Sequence, residues 1–135
     1  MGPFAANWLV ERINRAYVQE AAGRYGRGRV LDAGCGRRPY AEFFSDYTGL
    51  EFDRVRYADA PADVWGSGME LPFRDKAFAT VFSSQVLEHV PEPWRMVAEM
   101  ARVLEPGGHL ILTAPHIWGL HEAPHDYFRF TCYGL

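Results

Sequence analysis

Lysine is nearly missing from this sequence: Lys76 is the only one, and the other basic residues are arginines. They form no dense cluster and the formal net charge is -3, so the chain lacks the basic surface that binds nucleic acid or an acidic membrane. Cysteine is scarce too. Cys35 and Cys132 lie far apart and outline no disulfide framework. No apolar run approaches the ~20 residues of a membrane span. Glu11 and Arg12 interrupt the N-terminal apolar residues, unlike a signal peptide. Internal repeats, low-complexity stretches and interdomain linkers are lacking as well. What remains is an ordinary globular chain, expected in the cytoplasm. Its 135 residues, 48% of them hydrophobic, suffice for about one well-buried core.

The most informative stretch is Arg29-Val30-Leu31-Asp32-Ala33-Gly34-Cys35-Gly36. Its apolar residues read as a buried parallel strand and its glycines as the loop leaving the strand's carboxyl end. Ligands of open α/β sheets bind at such loops, where glycine permits positive φ and close approach to the backbone. A dinucleotide fingerprint would want glycine where Pro39 stands, and a phosphate-binding P-loop would want Lys-Ser/Thr where Arg37-Arg38 follows Gly36. Asp32 would repel a phosphate and suits a cationic or amino-bearing ligand. Taken alone, the loop also reads as a tight turn with no ligand.

Phe4, Trp8, Leu9, Ile13, Tyr17 and Ala21 recur at helical spacing and predict an amphipathic helix over about 4–22. The glycine-studded stretch 23–28 stops it. A short helix is expected over 40–44, then strands over 47–53, 62–65 and 76–83. A helix over 94–104 follows, led by Pro91 and Pro93 and stopped by Pro106-Gly107-Gly108. His109 to Pro115 reads as a fifth, almost wholly apolar and therefore central strand. Strands and crossovers thus alternate five times, which predicts an α/β fold with a mostly parallel sheet. Glu51 sits at the end of the second strand, about twenty residues beyond the first, where a carboxylate can accept from ribose hydroxyls. A solvent-exposed acid is the alternative there.

Four blocks carry a family resemblance: residues 30–36, Leu71-Pro72-Phe73, Val86-Leu87-Glu88-His89-Val90, and Arg102 to Gly108. In this order and spacing they resemble class I S-adenosylmethionine-dependent methyltransferases, in particular the type 11-like group. The resemblance covers residues 30–135. It implies a Rossmann-like, mostly parallel sheet with flanking helices, and S-adenosylmethionine as cofactor. Asp32 would hold the methionyl ammonium, with Ala33, Gly34, Cys35 and Gly36 lying against the cofactor. Glu51 would bind the ribose and Phe52 would pack on the adenine. The family often has an acid near Ser67; without one, the adenine contact falls to backbone around Gly68 and Met69, and Ser83 completes the set. Ala79 also replaces the usual aspartate of Phe-Asp-x-Val. The family fold normally continues to a sixth and a seventh strand, so the resemblance implies a domain truncated after the fifth.

A methyl group on a sulfonium is already electrophilic, so such an enzyme mainly positions the acceptor and excludes water. A base is needed only for a hydroxyl or protonated amine. His89, His116, His121 and His125 lie near strand ends, and His89, His121 and His125 are the candidates for that role; a structural role is the alternative for each. Relatives that methylate catechols or RNA ends bind a divalent ion through Glu-x-x-Glu-His, where this chain has Gln85 in place of the first carboxylate. No metal is expected, because losing that anionic ligand removes much of the attraction for a hard cation; the residues left for a mixed site are Glu88, His89 and one of His116 or His121.

The resulting expectation is one domain over 1–135. It comprises an N-terminal helix (1–28), a Rossmann-like core (29–115), and an acceptor-side loop running into the start of a helix near Thr131 (116–135). The expected activity is methyl transfer to a small-molecule acceptor. The alternative is a cofactor-binding but inactive module that needs a partner or further chain. An apolar sheet edge left open would favour self-association. Neither nucleic acid nor membrane is expected as a partner.

Overall fold

Strand β1 (Arg29–Ala33) is flanked on both sides by parallel strands, so Val30, Leu31, Asp32 and Ala33 are all buried. The computed structural model describes residues 7–135. Helix α1 (Trp8–Tyr25) precedes β1 and a 3-10 turn over Ala41–Phe43 follows it. Next come β2 (Asp46–Glu51), the two-residue β3 (Val64–Trp65) and β4 (Phe78–Ser84). A second 3-10 turn (Leu87–His89), helix α2 (Pro93–Val103) and β5 (Leu104–Thr113) complete the order. The strands lie in the order β3-β2-β1-β4-β5, and every pairing is parallel. From β1 the chain steps outward to β2 and β3, then returns to lay β4 on the other side of β1. The strand order therefore reverses between β1 and β4, and a crevice opens at their carboxyl ends.

Period-two alternation distributes the sheet residues between two cores. Val30, Phe82 and Ile111 point to the face covered by Val18, Ala21 and Ala22 of α1. Leu31, Leu50 and Val81 point to the opposite face, under Met96, Met100 and Val103 of α2. Pro93 occupies the first turn of α2, where its missing N–H costs nothing.

Several elements differ from expectation: the helix expected over 40–44 is a 3-10 turn and the strand expected over 62–65 keeps two residues, and α1 and β5 differ more. The part of the predicted first helix at Phe4 lies outside the described residues. In the rest, the inward stripe is Asn14, Val18, Ala21 and Ala22, while Leu9, Ile13 and Tyr17 are 58%, 61% and 53% exposed. Polar bonds orient the middle of α1. Asn14 Nδ2 donates to Tyr40 Oη (2.8 Å) and Ser84 Oγ (3.1 Å), and Arg15 bonds the Pro39 carbonyl and Glu42. The other larger difference is β5. It starts at Leu104, and a register shift opposite Phe78 and Thr80 absorbs Pro106-Gly107-Gly108. It is the edge strand among the described residues, with Ile111 its one buried residue. An apolar run reports cover on a strand's faces, not a partner along each edge. Near Thr131, the predicted helix start is a single turn in which Gly134 and Leu135 donate to the Thr131 carbonyl. No described helix is long and apolar enough to cross a membrane.

Candidate functional site

A cleft of about 640 Å³ occupies the crevice, with Asp32, Gly34, Gly36, Glu51, Phe82 and Ser84 on its floor. Asp32 stands one residue before the end of β1, opposite Gly49 of β2 and Phe82 of β4. Its carboxylate is 2% exposed and accepts a hydrogen bond from the Tyr47 hydroxyl at 2.5 Å. It makes no ion pair among the described residues, because the neighbouring Arg38 pairs with Asp63 instead at 2.5 Å. Burial pushes the Asp32 pKa up to about 7; the Tyr47 hydrogen bond opposes this and the Glu51 charge adds to it. The same low-dielectric surroundings push the Cys35 thiol up to about 12, so it stays protonated.

Glu51 is equally buried and is held by backbone. Its Oε2 accepts from the Gly36 N–H at 2.8 Å, and Oε1 accepts from Phe52 (2.8 Å) and Asp53 (3.2 Å). These bonds fix the carboxylate at the end of β2 with acceptor capacity to spare. The Gly34 and Cys35 amides donate to the Leu50 carbonyl, both at 2.9 Å, and tie the glycine turn to β2. Glycine is required at position 34: φ is +90°, and a Cβ there would stand 2.5 Å from Val86 Cγ2.

The expected cofactor residues divide accordingly. Asp32, Gly34, Cys35, Gly36, Glu51 and Phe52 line the cleft. Gly68 and Met69 line a smaller adjoining pocket of about 60 Å³, which Gly34 and Phe52 share. Ala33 is buried beneath them. Ser83 points the other way, its hydroxyl donating to the Ala33 carbonyl at 2.7 Å, and Ser84 faces the cleft in its place. Glu122 joins the wall from the expected acceptor-side loop, while Tyr40, Arg56 and Tyr57, which complete the walls, were not singled out in the sequence. Apart from the aromatic character of Tyr40 and Tyr57, no local signal marks them, since each arrives from a loop.

The histidines separate as well. His89 and His121 line the cleft, their rings edge-on with centroids 4.7 Å apart. His125 pairs with the Tyr127 hydroxyl and His116 with the Phe130 carbonyl, both at 3.0 Å and outside the cleft. Ligand atoms of Glu88, His89 and His121 lie within 4.8 Å of one another; His116 is not part of that group. The tail reaches this position because the Tyr127 and Phe128 amides donate to the Glu88 carbonyl at 2.7 and 3.3 Å. Arg129 braces it, donating to both Asp126 oxygens at 2.6 and 2.8 Å and to the carbonyls of Trp118 and Gly119. This pairing holds the Asp126 carboxyl well below the usual carboxylate range.

Residues 31–112, which hold the glycine turn and both buried acids, match a known family model described as a methyltransferase domain. The chain belongs to the methyltransferase domain family. An uncharacterized methyltransferase of Mycobacterium leprae is 43% identical over 112 residues, which covers 70% of this chain and 41% of that protein. One from Mycobacterium avium is 41% identical over 118 residues, covering 78% and 45%. The chain thus spans less than half the length of these curated relatives. Among solved structures, the cyclase SpnF superposes with a TM-score of 0.64 at 31% identity, covering 74% of this chain and 43% of that one. An S-adenosylmethionine-dependent methyltransferase from Mesorhizobium loti superposes with a TM-score of 0.60 at 22% identity, covering 76% and 54%, a likeness of fold alone. The architecture of the methyltransferase domain is accordingly the Rossmann-like class I fold.

Proposed function

We propose that this methyltransferase domain binds S-adenosylmethionine in the 640 Å³ cleft and directs methyl transfer to a small-molecule acceptor received beside His89 and His121. The observation that carries this reading is Asp32, a buried carboxylate on the cleft floor without a cationic partner among the described residues. The positive charge of an ammonium-bearing ligand would offset the desolvation cost that raises its pKa. The residues fit the rest of the cofactor as well. Glu51 has acceptor capacity beside the glycine turn, and Gly34 and Gly36 of that turn line the cleft. Phe52 is 51% exposed and borders both cavities, an apolar face on which adenine would pack, with Gly68 and Met69 beyond it.

When bound, the cofactor supplies an electrophilic sulfonium methyl. The chain's own contribution is orientation and the exclusion of water. Asp32 and Glu51 fix two ends of an elongated ligand, while Tyr40, Tyr57 and the tail wall the opening. Arg56 and Glu122 pair at 2.7 Å across the mouth.

Calorimetric titration with S-adenosylhomocysteine tests the reading. Saturable binding is expected, and Asp32→Asn should weaken it by about 2–5 kcal/mol, the usual cost of removing one partner of a buried charge pair. Absence of binding by folded protein would overturn the reading. Binding without turnover across a panel of small acceptors would favour the inactive-module alternative.

A further inference from the structure

Beside the cofactor floor, Glu88 plays no part in the function proposed above. It is completely buried, yet neither of its carboxylate oxygens has a hydrogen-bond partner. A carboxylate left so is costly, and folds retain one chiefly where it is neutralised or meets a ligand. Three ligand atoms, one each from Glu88, His89 and His121, lie within 4.8 Å of one another, and His89 Nε2 is 3.8 Å from Glu88 Oε1.

The two imidazoles are held from behind. His89 Nδ1 lies 2.6 Å from the His125 carbonyl, and His121 Nδ1 lies 3.2 Å from the Gly119 carbonyl and 3.4 Å from Asp126 Oδ2. A carbonyl oxygen only accepts, so each Nδ1 carries the proton and donates it. Each ring then keeps a lone pair on Nε2. Metal-binding histidines are supported in this way, with the second ring nitrogen donating to a carbonyl or carboxylate. The charges around the cluster are paired off. Arg56 is engaged by Glu122, whose other oxygen stands 3.7 Å from His89 Nε2, and Arg129 is engaged by Asp126.

We propose that Glu88, His89 and His121 form a binding site for a divalent first-row transition-metal ion at the acceptor end of the cleft. Two imidazole nitrogens and one carboxylate suit zinc, cobalt, manganese or iron, whereas magnesium and calcium favour all-oxygen sets. Donors bound tetrahedrally at about 2.0–2.2 Å stand about 3.3–3.6 Å apart, so closing the widest pair of the cluster onto an ion takes side-chain movement of up to about 1.5 Å. Because three residues supply the donors and two of them line the cleft, the open coordination positions face the space where an acceptor oxygen would enter.

The test is titration of untagged, chelator-treated protein with cobalt(II) alone, followed by visible absorption, with circular dichroism to verify folding. Stoichiometric binding with a d–d band is expected, displaced by zinc and not by equimolar magnesium. Glu88→Gln and His121→Ala should each weaken it by more than the roughly 10–100-fold lost with a supporting contact, while His116→Ala should leave it unchanged. If Glu88→Gln does not fold, His121→Ala on the tail carries the test. No saturable binding by folded protein, or binding that survives His121→Ala, overturns the proposal. The readout requires no cofactor, so its failure would leave the S-adenosylmethionine reading standing.

Discussion

Asp32 shows how one residue couples stability, pH and ligand. Unfolded, its carboxyl titrates near 3.8; folded, burial raises it to about 7. Between those values the unfolded chain is ionised and the native one protonated, so folding takes up a proton and stability falls as pH rises through this window. Glu88, also raised by burial, adds a slope of the same sign. Urea denaturation of the ligand-free protein should therefore give a higher midpoint at pH 5 than at pH 7.5, and Asp32→Asn should flatten the difference to the Glu88 share. A bound ammonium should reverse the shift, so titration with S-adenosylhomocysteine near pH 6 should release a proton, read from calorimetry in buffers of different ionisation enthalpy. Asp32 and Glu51 were legible as strand-end acids from the flanking apolar runs. Ser83 and Ser84 were not distinguishable, because only the register of β4 against β1 decides which faces the cleft.

Among the elements, the glycine turn after β1 carries the sharpest constraint. Gly34→Ala would meet Val86 and hold a non-glycine residue at φ +90°. It should cost about 1–3 kcal/mol, visible as a lowered urea midpoint at unchanged m-value. Cofactor affinity should fall as well, since the turn positions both Gly36 and Glu51. The strands were readable because short apolar runs between glycine and proline punctuation survive in any register. Helix α1 was readable as a helix and misread as a face. The apolar stripe Leu9-Ile13-Tyr17 was stronger in the sequence than Asn14-Val18-Ala21. The inward face was set instead by two bonds from Asn14 to residues 26 and 70 positions away. A polar residue at a helix surface gives no local sign of such partners.

At the scale of the whole molecule, the tail after β5 turns a sheet with a crevice into a walled site. Arg129 should be its main fastener, with Asp126 beneath it only 2% exposed in its side chain. Arg129→Ala removes charge-assisted hydrogen bonds worth about 1.5–3 kcal/mol. Hydrogen exchange at the Tyr127 and Phe128 amides should accelerate by about ten- to a hundredfold, with the β1 and β4 amides unchanged, because local opening need not involve the core. Loss of the tail should also remove His121 from Glu88 and His89, so the same variant should bind cobalt(II) more weakly.

Local pattern alone determined that this chain alternates strands and crossovers, that its first strand ends in a glycine turn, and that acids stand at the ends of β1 and β2. Those features are written in adjacent residues and in the two-residue and three-to-four-residue periods of the backbone. The fold alone decided which of two candidate histidines joins Glu88 and His89, which serine faces the cleft, and which side of α1 is covered. Each of those depends on segments tens of residues apart meeting across the sheet, and such contacts are settled by packing and hydrogen-bond satisfaction rather than by neighbours in the chain.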